Sequence, residues 1–159
     1  MSEEQKLTLQ EFHRAFAPGL FNKTWDLLEK SDRTAEDDET MILIAHASLY
    51  HWTKVDGYTP LHHVRGLWMI AHVYTILEWK DAALTYARRC LDETLENGFE
   101  DFDLGYAHEG MARALALVGR SEEAQEELGR ARAVAETIAK AGDRKQFTAD
   151  LDSGPWFGI

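Results

Sequence analysis

The sequence has few of the residues that build disulfides, metal centres and breaks in helices. It contains one cysteine, Cys90, so it can form neither an internal disulfide nor a multi-cysteine zinc site. It contains three prolines, and because proline interrupts a helical ladder, their scarcity leaves room for long helices. No apolar run approaches the ~18 residues that a membrane span needs, and no apolar signal-peptide core is visible near the N-terminus. We therefore expect a cytoplasmic protein.

Positive charge is also scarce. Lysine and arginine number 17 against 28 aspartates and glutamates, which gives a formal net charge of −11. Nucleic acids and anionic membrane faces both favour a basic surface, so we expect no nucleic-acid partner and no membrane partner. Hydrophobic residues make up 45% of the chain, which is sufficient for a folded core, and the length fits one domain.

Helix-breaking residues divide the chain into six helical stretches and a shorter C-terminal piece. The predicted bounds are about 6–29, 34–56, 59–77, 80–96, 101–119 and 121–140, followed by an amphipathic piece at 144–151. Thr34 is predicted to cap the second stretch, and Asp101 or Asp103 the fifth. No segment alternates with a period of two, so no sheet is expected. Short connections imply antiparallel neighbours, so the predicted fold class is all-α.

Two segments of the chain are similar to each other at a constant offset of 41 residues. The matched pairs are Ile70/Met111, Ala71/Ala112, Tyr74/Leu115, Ala83/Ala124, Ala87/Leu128 and Cys90/Ala131. Small residues recur at equal spacing, which is what two closely packed helices require. We therefore expect Ala83 and Ala124 to be buried at matching helix–helix contacts.

This pattern resembles the tetratricopeptide repeat (TPR), a helical hairpin of 34 residues. The clear repeats would be residues 64–97 and 105–138, and a diverged N-terminal hairpin at 6–55 would supply a third. The C-terminal tail, residues 142–159, would cap the other end. The resemblance implies antiparallel helical hairpins stacked as a short TPR-like array within a single domain, residues 1–159.

In TPR domains the first helices of the hairpins line a concave surface that binds proteins or peptides, and the resemblance implies the same function here. Residue by residue, the binding positions fall on Arg65, Trp68 and His72 in the first copy and on Tyr106, Glu109 and Arg113 in the second. The spacing i, i+3, i+7 independently places the first three on one helix face. The alternative is that Trp68 and its polar neighbours simply pack under the N-terminal helices. The resemblance implies a protein or peptide partner, no cofactor and no catalytic residue.

Seven histidines leave a second function open, that of a metal-dependent enzyme. His46, His72 and His108 lie on successive predicted hairpins and could converge between helices as metal ligands. Against this, the sequence has no HExxH motif and no histidine pair at i, i+4. A third alternative is a homo-oligomer, such as a homodimer, in which a copy of the chain fills the groove.

The C-terminal tail ends in large apolar residues. Trp156, Phe157 and Ile159 follow the helix-stopping sequence from Asp152 to Pro155. Burying one such side chain contributes about 1.5–3 kcal/mol, which is comparable with the cost of ordering one or two backbone residues. We predict that the tail packs against its own helices or against a neighbouring copy.

Overall fold

The computed structural model describes residues 6–159, which form seven α-helices and no strand. The helices are α1 (Leu9–Glu29), α2 (Ala35–Lys54), α3 (Pro60–Ile76), α4 (Lys80–Glu96), α5 (Asp101–Leu117), α6 (Ser121–Thr137) and α7 (Ala141–Asp152). The all-α prediction is therefore confirmed. The seventh helix begins earlier than expected, so that Gly142 lies inside it. No helix of the described chain is both long and apolar enough to cross a bilayer.

The chain divides into two compact units, and the boundary falls inside α3. The first unit ends at Gly66 and the second comprises Leu67–Ile159. In the first unit α1 packs against α2. In the second unit α5 packs against α4, α6 and α7, and α6 also contacts α7. Helix α5 is therefore central to the second unit.

Capping boxes begin the first two helices. The Thr8 hydroxyl accepts from the Glu11 amide at 3.2 Å, and the Glu11 carboxylate accepts from the Thr8 amide at 2.6 Å. The predicted cap at Thr34 is confirmed by the same reciprocal pattern with Asp37, at 3.1 and 3.0 Å. Each box satisfies two amides that a helix start otherwise leaves without a partner.

Helix α5 begins differently from the prediction. Its N-cap residue is Glu100, without a side-chain capping bond, and Asp101 is the first helical residue with φ of 59°. The expectation that Asp101 or Asp103 caps this helix is therefore wrong. Both aspartates lie in the first turn instead, where their charge complements the helix dipole.

Small residues allow the helices of the second unit to approach closely. Ala83 and Ala124 are each 0% exposed, which confirms their predicted burial. A further cluster joins α6 to α7 and consists of Ala131, Ala135, Ile138, Phe147 and Leu151. This C-terminal cluster shows that α7 is part of the core of the second unit.

Candidate functional site

Trp68 on α3 and Glu109 on α5 occupy equivalent positions of the two repeats and are bonded to each other. The indole Nε1 of Trp68 donates to Oε2 of Glu109 at 2.9 Å. Gly110 allows this approach, because a Cβ atom there would lie 3.2 Å from Cδ1 of the indole. His72 stacks on Trp68 with ring centroids 4.8 Å apart, and Tyr106 meets the indole edge-on at 5.4 Å. The first helices of the two repeats thus share one aromatic and polar face.

Arg113 lies one turn after Glu109 and forms a buried ion pair with it. Nε of Arg113 donates to Oε1 of Glu109, and the two residues are 3% and 1% exposed. Burial raises the pKa of Glu109, and the charge of Arg113 opposes this shift. Since Trp68 donates to the other oxygen, both carboxylate oxygens have a donor. A buried charge pair persists only when its remaining polar atoms are satisfied in this way.

The remaining donors of Arg113 hold the C-terminal segment of the chain. Nη2 donates to the carbonyl of Asp150 at 2.7 Å. Nη1 donates to the carbonyls of Ser153 at 3.0 Å and Pro155 at 3.1 Å. The guanidinium carbon also lies 4.0 Å from the centroid of the Trp156 ring, a cation–π contact. The end of α7 and the segment that follows it therefore wrap around one buried guanidinium group.

Tyr106 and α7 make a second set of contacts on the same face. The phenol of Tyr106 donates to Oδ2 of Asp150, and burial raises the phenol's pKa, so that it remains a protonated donor. The Tyr106 ring lies 4.7 Å from that of Phe147, centroid to centroid. Phe147 in turn packs against Gly105, where a Cβ atom would come within 2.8 Å of the phenyl ring. Helix α7 is thus seated on α5 at a position that only glycine fits.

The predicted docking of the tail is confirmed within the chain itself. Trp156 packs against the C-terminal cluster, and its Nε1 donates to the carbonyl of Leu151 at 3.0 Å. Phe157 and Ile159 are partly buried. The apolar end of the sequence is therefore an ordered part of the second unit.

Five of the six residues predicted to bind a ligand come together on this face, namely Trp68, His72, Tyr106, Glu109 and Arg113. Arg65 is exposed on the part of α3 that belongs to the first unit. Burial, and then the charge of Arg113, lowers the pKa of His72 to about 3, so its imidazole is neutral. The chain's own C-terminal segment contacts this face. The use of the face by another ligand stays a prediction.

The histidines of the alternative metal centre are not grouped in this way. His108 pairs through Nδ1 with Oε2 of Glu127 at 2.6 Å, and His72 stacks on Trp68. Across residues 6–159, no three or more histidine, cysteine, aspartate or glutamate side chains are grouped to hold a metal ion. The described residues therefore do not form the metal centre that the alternative left open for His46, His72 and His108.

Sequence reasoning missed the groups that Arg113 recognises. They are backbone carbonyls in the C-terminal segment, which no residue type marks. An available signal was the pair Gly105 and Gly110 inside α5, because glycine within a helix often marks the close approach of a large side chain. Comparison of the chain with protein families, curated proteins and solved structures finds no match.

Proposed function

We propose that the protein is a TPR-like interaction module that binds a protein or peptide on the face shared by α3 and α5 in the second unit. One observation carries this proposal. Arg113 already holds a peptide segment there, through the carbonyls of Asp150, Ser153 and Pro155. Recognition of carbonyl groups does not depend on side-chain identity, so a segment from another protein can satisfy the same donors.

The contacts also indicate the chemistry of the partner. The guanidinium lies over the ring of Trp156, and tryptophan and arginine are frequent anchors of binding surfaces. A competing segment should therefore carry an aromatic residue shortly after a turn. It must displace a tethered segment, whose effective concentration is on the order of millimolar. The docked C-terminal segment thus acts as a built-in competitor that weakens the apparent affinity for the partner.

A full-length variant with a weakened tail tests the proposal. Trp156→Ala removes the ring that stacks on Arg113 and packs on the C-terminal cluster. The loss of these contacts weakens the docking of the tail by about 1.5–3 kcal/mol. A labelled peptide with the sequence of residues 150–159 should then bind to the variant about tenfold or more tightly than to the wild type. Fluorescence anisotropy measures both affinities, and circular dichroism checks that the variant is folded.

Two further variants make this experiment specific. Trp79→Ala removes an indole that is 55% exposed and should leave peptide binding at the wild-type level. Adding Arg113→Met to Trp156→Ala should abolish the gained binding, because the carbonyl donors are lost. Equal affinities of the peptide for the wild type, the Trp156 variant and the double variant would contradict the proposed binding face.

A further inference from the structure

Exposed apolar side chains concentrate on the first unit. Of the eight large hydrophobic side chains that are exposed in the described chain, six lie on or beside α1 and α2. They are Leu7 (44% exposed), Leu9 (71%), Phe12 (43%), Phe16 (43%), Leu43 (62%) and Tyr50 (57%). At about 100 Å² each, they expose roughly 600 Å². This sum approaches the ~800 Å² that each partner contributes to a standard interface.

Ring contacts join three of these side chains into one surface across both helices, with His51 between them. Phe12 stacks on Phe16 with ring centroids 6.1 Å apart. Phe16 stacks on His51 at 5.5 Å, and the Tyr50 ring lies 5.6 Å from that of His51. Behind them, Nδ1 of His13 and Nδ1 of His51 share a hydrogen bond of 2.9 Å. We call this surface, together with the exposed Leu9 of α1 and Leu43 of α2, the α1/α2 face.

One stripe of α2 on this face, exposed except for the half-buried Ala47, has a self-complementary order. It consists of Glu39, Leu43, Ala47, Tyr50 and Lys54, which are spaced three or four residues apart and so share one side of the helix. The stripe is acidic at its N-terminal end, basic at its C-terminal end, and has a small residue near its centre. When two such helices pack antiparallel, each leucine lies opposite a tyrosine and each glutamate opposite a lysine.

We infer that the protein forms a twofold-symmetric homodimer through the α1/α2 face, with the two α2 helices antiparallel. A twofold axis places the same surface on both sides of an interface, so only a self-complementary surface can use it. Two hairpins joined in this way form a four-helix bundle with an apolar centre. Ala47 permits close approach at the axis, and two symmetric pairs of Glu39 with Lys54 set the register. The dimer is independent of the peptide-binding face proposed above.

Charge exchange tests both the dimer and its register. In sedimentation equilibrium of the full chain, Glu39→Lys and Lys54→Glu should each raise the dimer dissociation constant about tenfold or more. Each substitution brings two pairs of like charges together across the twofold interface. The variant that carries both substitutions should return to within about threefold of the wild type, because opposite charges again face each other. Glu126→Lys, an equal charge change on the exposed side of α6, should leave the dissociation constant unchanged.

A substitution in the apolar part completes the test. Leu43→Asp should give a monomer at every concentration while its far-UV circular dichroism matches the wild type, since Leu43 is mostly exposed in the single chain. A wild type that stays monomeric at high concentration would overturn the inference. So would a dimer that tolerates Leu43→Asp, or a charge exchange that fails to restore association.

Discussion

Replacing Arg113 by methionine removes a side chain that binds both Glu109 and the C-terminal segment, while retaining much of its length. The substitution deletes the bond to Glu109 and the three bonds to carbonyls of the C-terminal segment. It also deletes the cation that lies over Trp156. The carboxylate of Glu109 is then left buried with no opposite charge beside it. Breaking one partner of a buried pair costs about 3–5 kcal/mol, and we expect a loss of this size near neutral pH.

The loss should depend on pH in a definite direction. Burial already holds the pKa of Glu109 above its ordinary 4.5, and Arg113 opposes that shift. Without Arg113 the pKa of Glu109 rises further. The pH range in which the folded variant keeps this proton while the unfolded chain has released it therefore becomes wider. The destabilisation by the buried carboxylate is absent below the ordinary pKa, grows as the pH rises from the ordinary to the folded pKa, and is constant above it. The deficit should therefore increase from about 1–3 kcal/mol near pH 5 to a larger, constant value at higher pH.

Urea unfolding followed by circular dichroism across this pH range measures the effect. Arg130→Met is the matched control, because Arg130 is paired with Glu127 at 2.7 Å but its side chain is 54% exposed. That substitution should change the free energy of unfolding by no more than about 0.5 kcal/mol. A deficit of the Arg113 variant that does not vary with pH, or that equals the control, would refute the account of a buried uncompensated carboxylate.

Three further substitutions and one labelling reaction follow from the packing of the second unit. Gly105→Ala should destabilise by about 1–3 kcal/mol because its Cβ would meet Phe147 at 2.8 Å. Gly129→Ala, with no atom within 4 Å of the new Cβ, should stabilise by about 0.5–1 kcal/mol; thermal unfolding distinguishes the two. Ala124→Leu should overpack a site that is 0% exposed and cost about 1–3 kcal/mol in the same assay, so an unchanged melting temperature would contradict the repeat alignment. The Cys90 thiol, whose pKa burial raises to about 12, should resist a thiol reagent at pH 8 until urea unfolds the chain, and rapid labelling of the folded protein would contradict this.

The helices were predictable because their signals are local. Prolines, glycines and capping residues such as Thr34 act within a few positions, and apolar periodicity acts within one helix. The burial of Ala83 and Ala124 was predictable from the repeat, because two copies of one pattern restrict which positions face a neighbouring helix. The start of α5 was missed, since Glu100 occupies the N-cap without a side-chain capping bond.

Local sequence signals do not predict which segment covers the α3/α5 face. Glu109 and Arg113, spaced i, i+4, have the spacing of an exposed ion pair as well as of a buried one. Only the position of a segment some 40 residues later along the chain decides between these environments. That segment is recognised through the carbonyls of Ser153 and Pro155, groups that every residue carries. Long-range burial of this kind leaves almost no trace in residue type.

The bond between Trp68 and Glu109 has a consequence for how such an array can grow. The two residues hold the same place in successive repeats, yet one is a donor and the other an acceptor. A gene duplication that inserted a second copy of residues 64–97 would bring indole against indole, and a second copy of 105–138 would bring carboxylate against carboxylate. The two repeats are therefore no longer interchangeable, and a chain lengthened by unequal crossing-over would contain one mismatched contact between repeats.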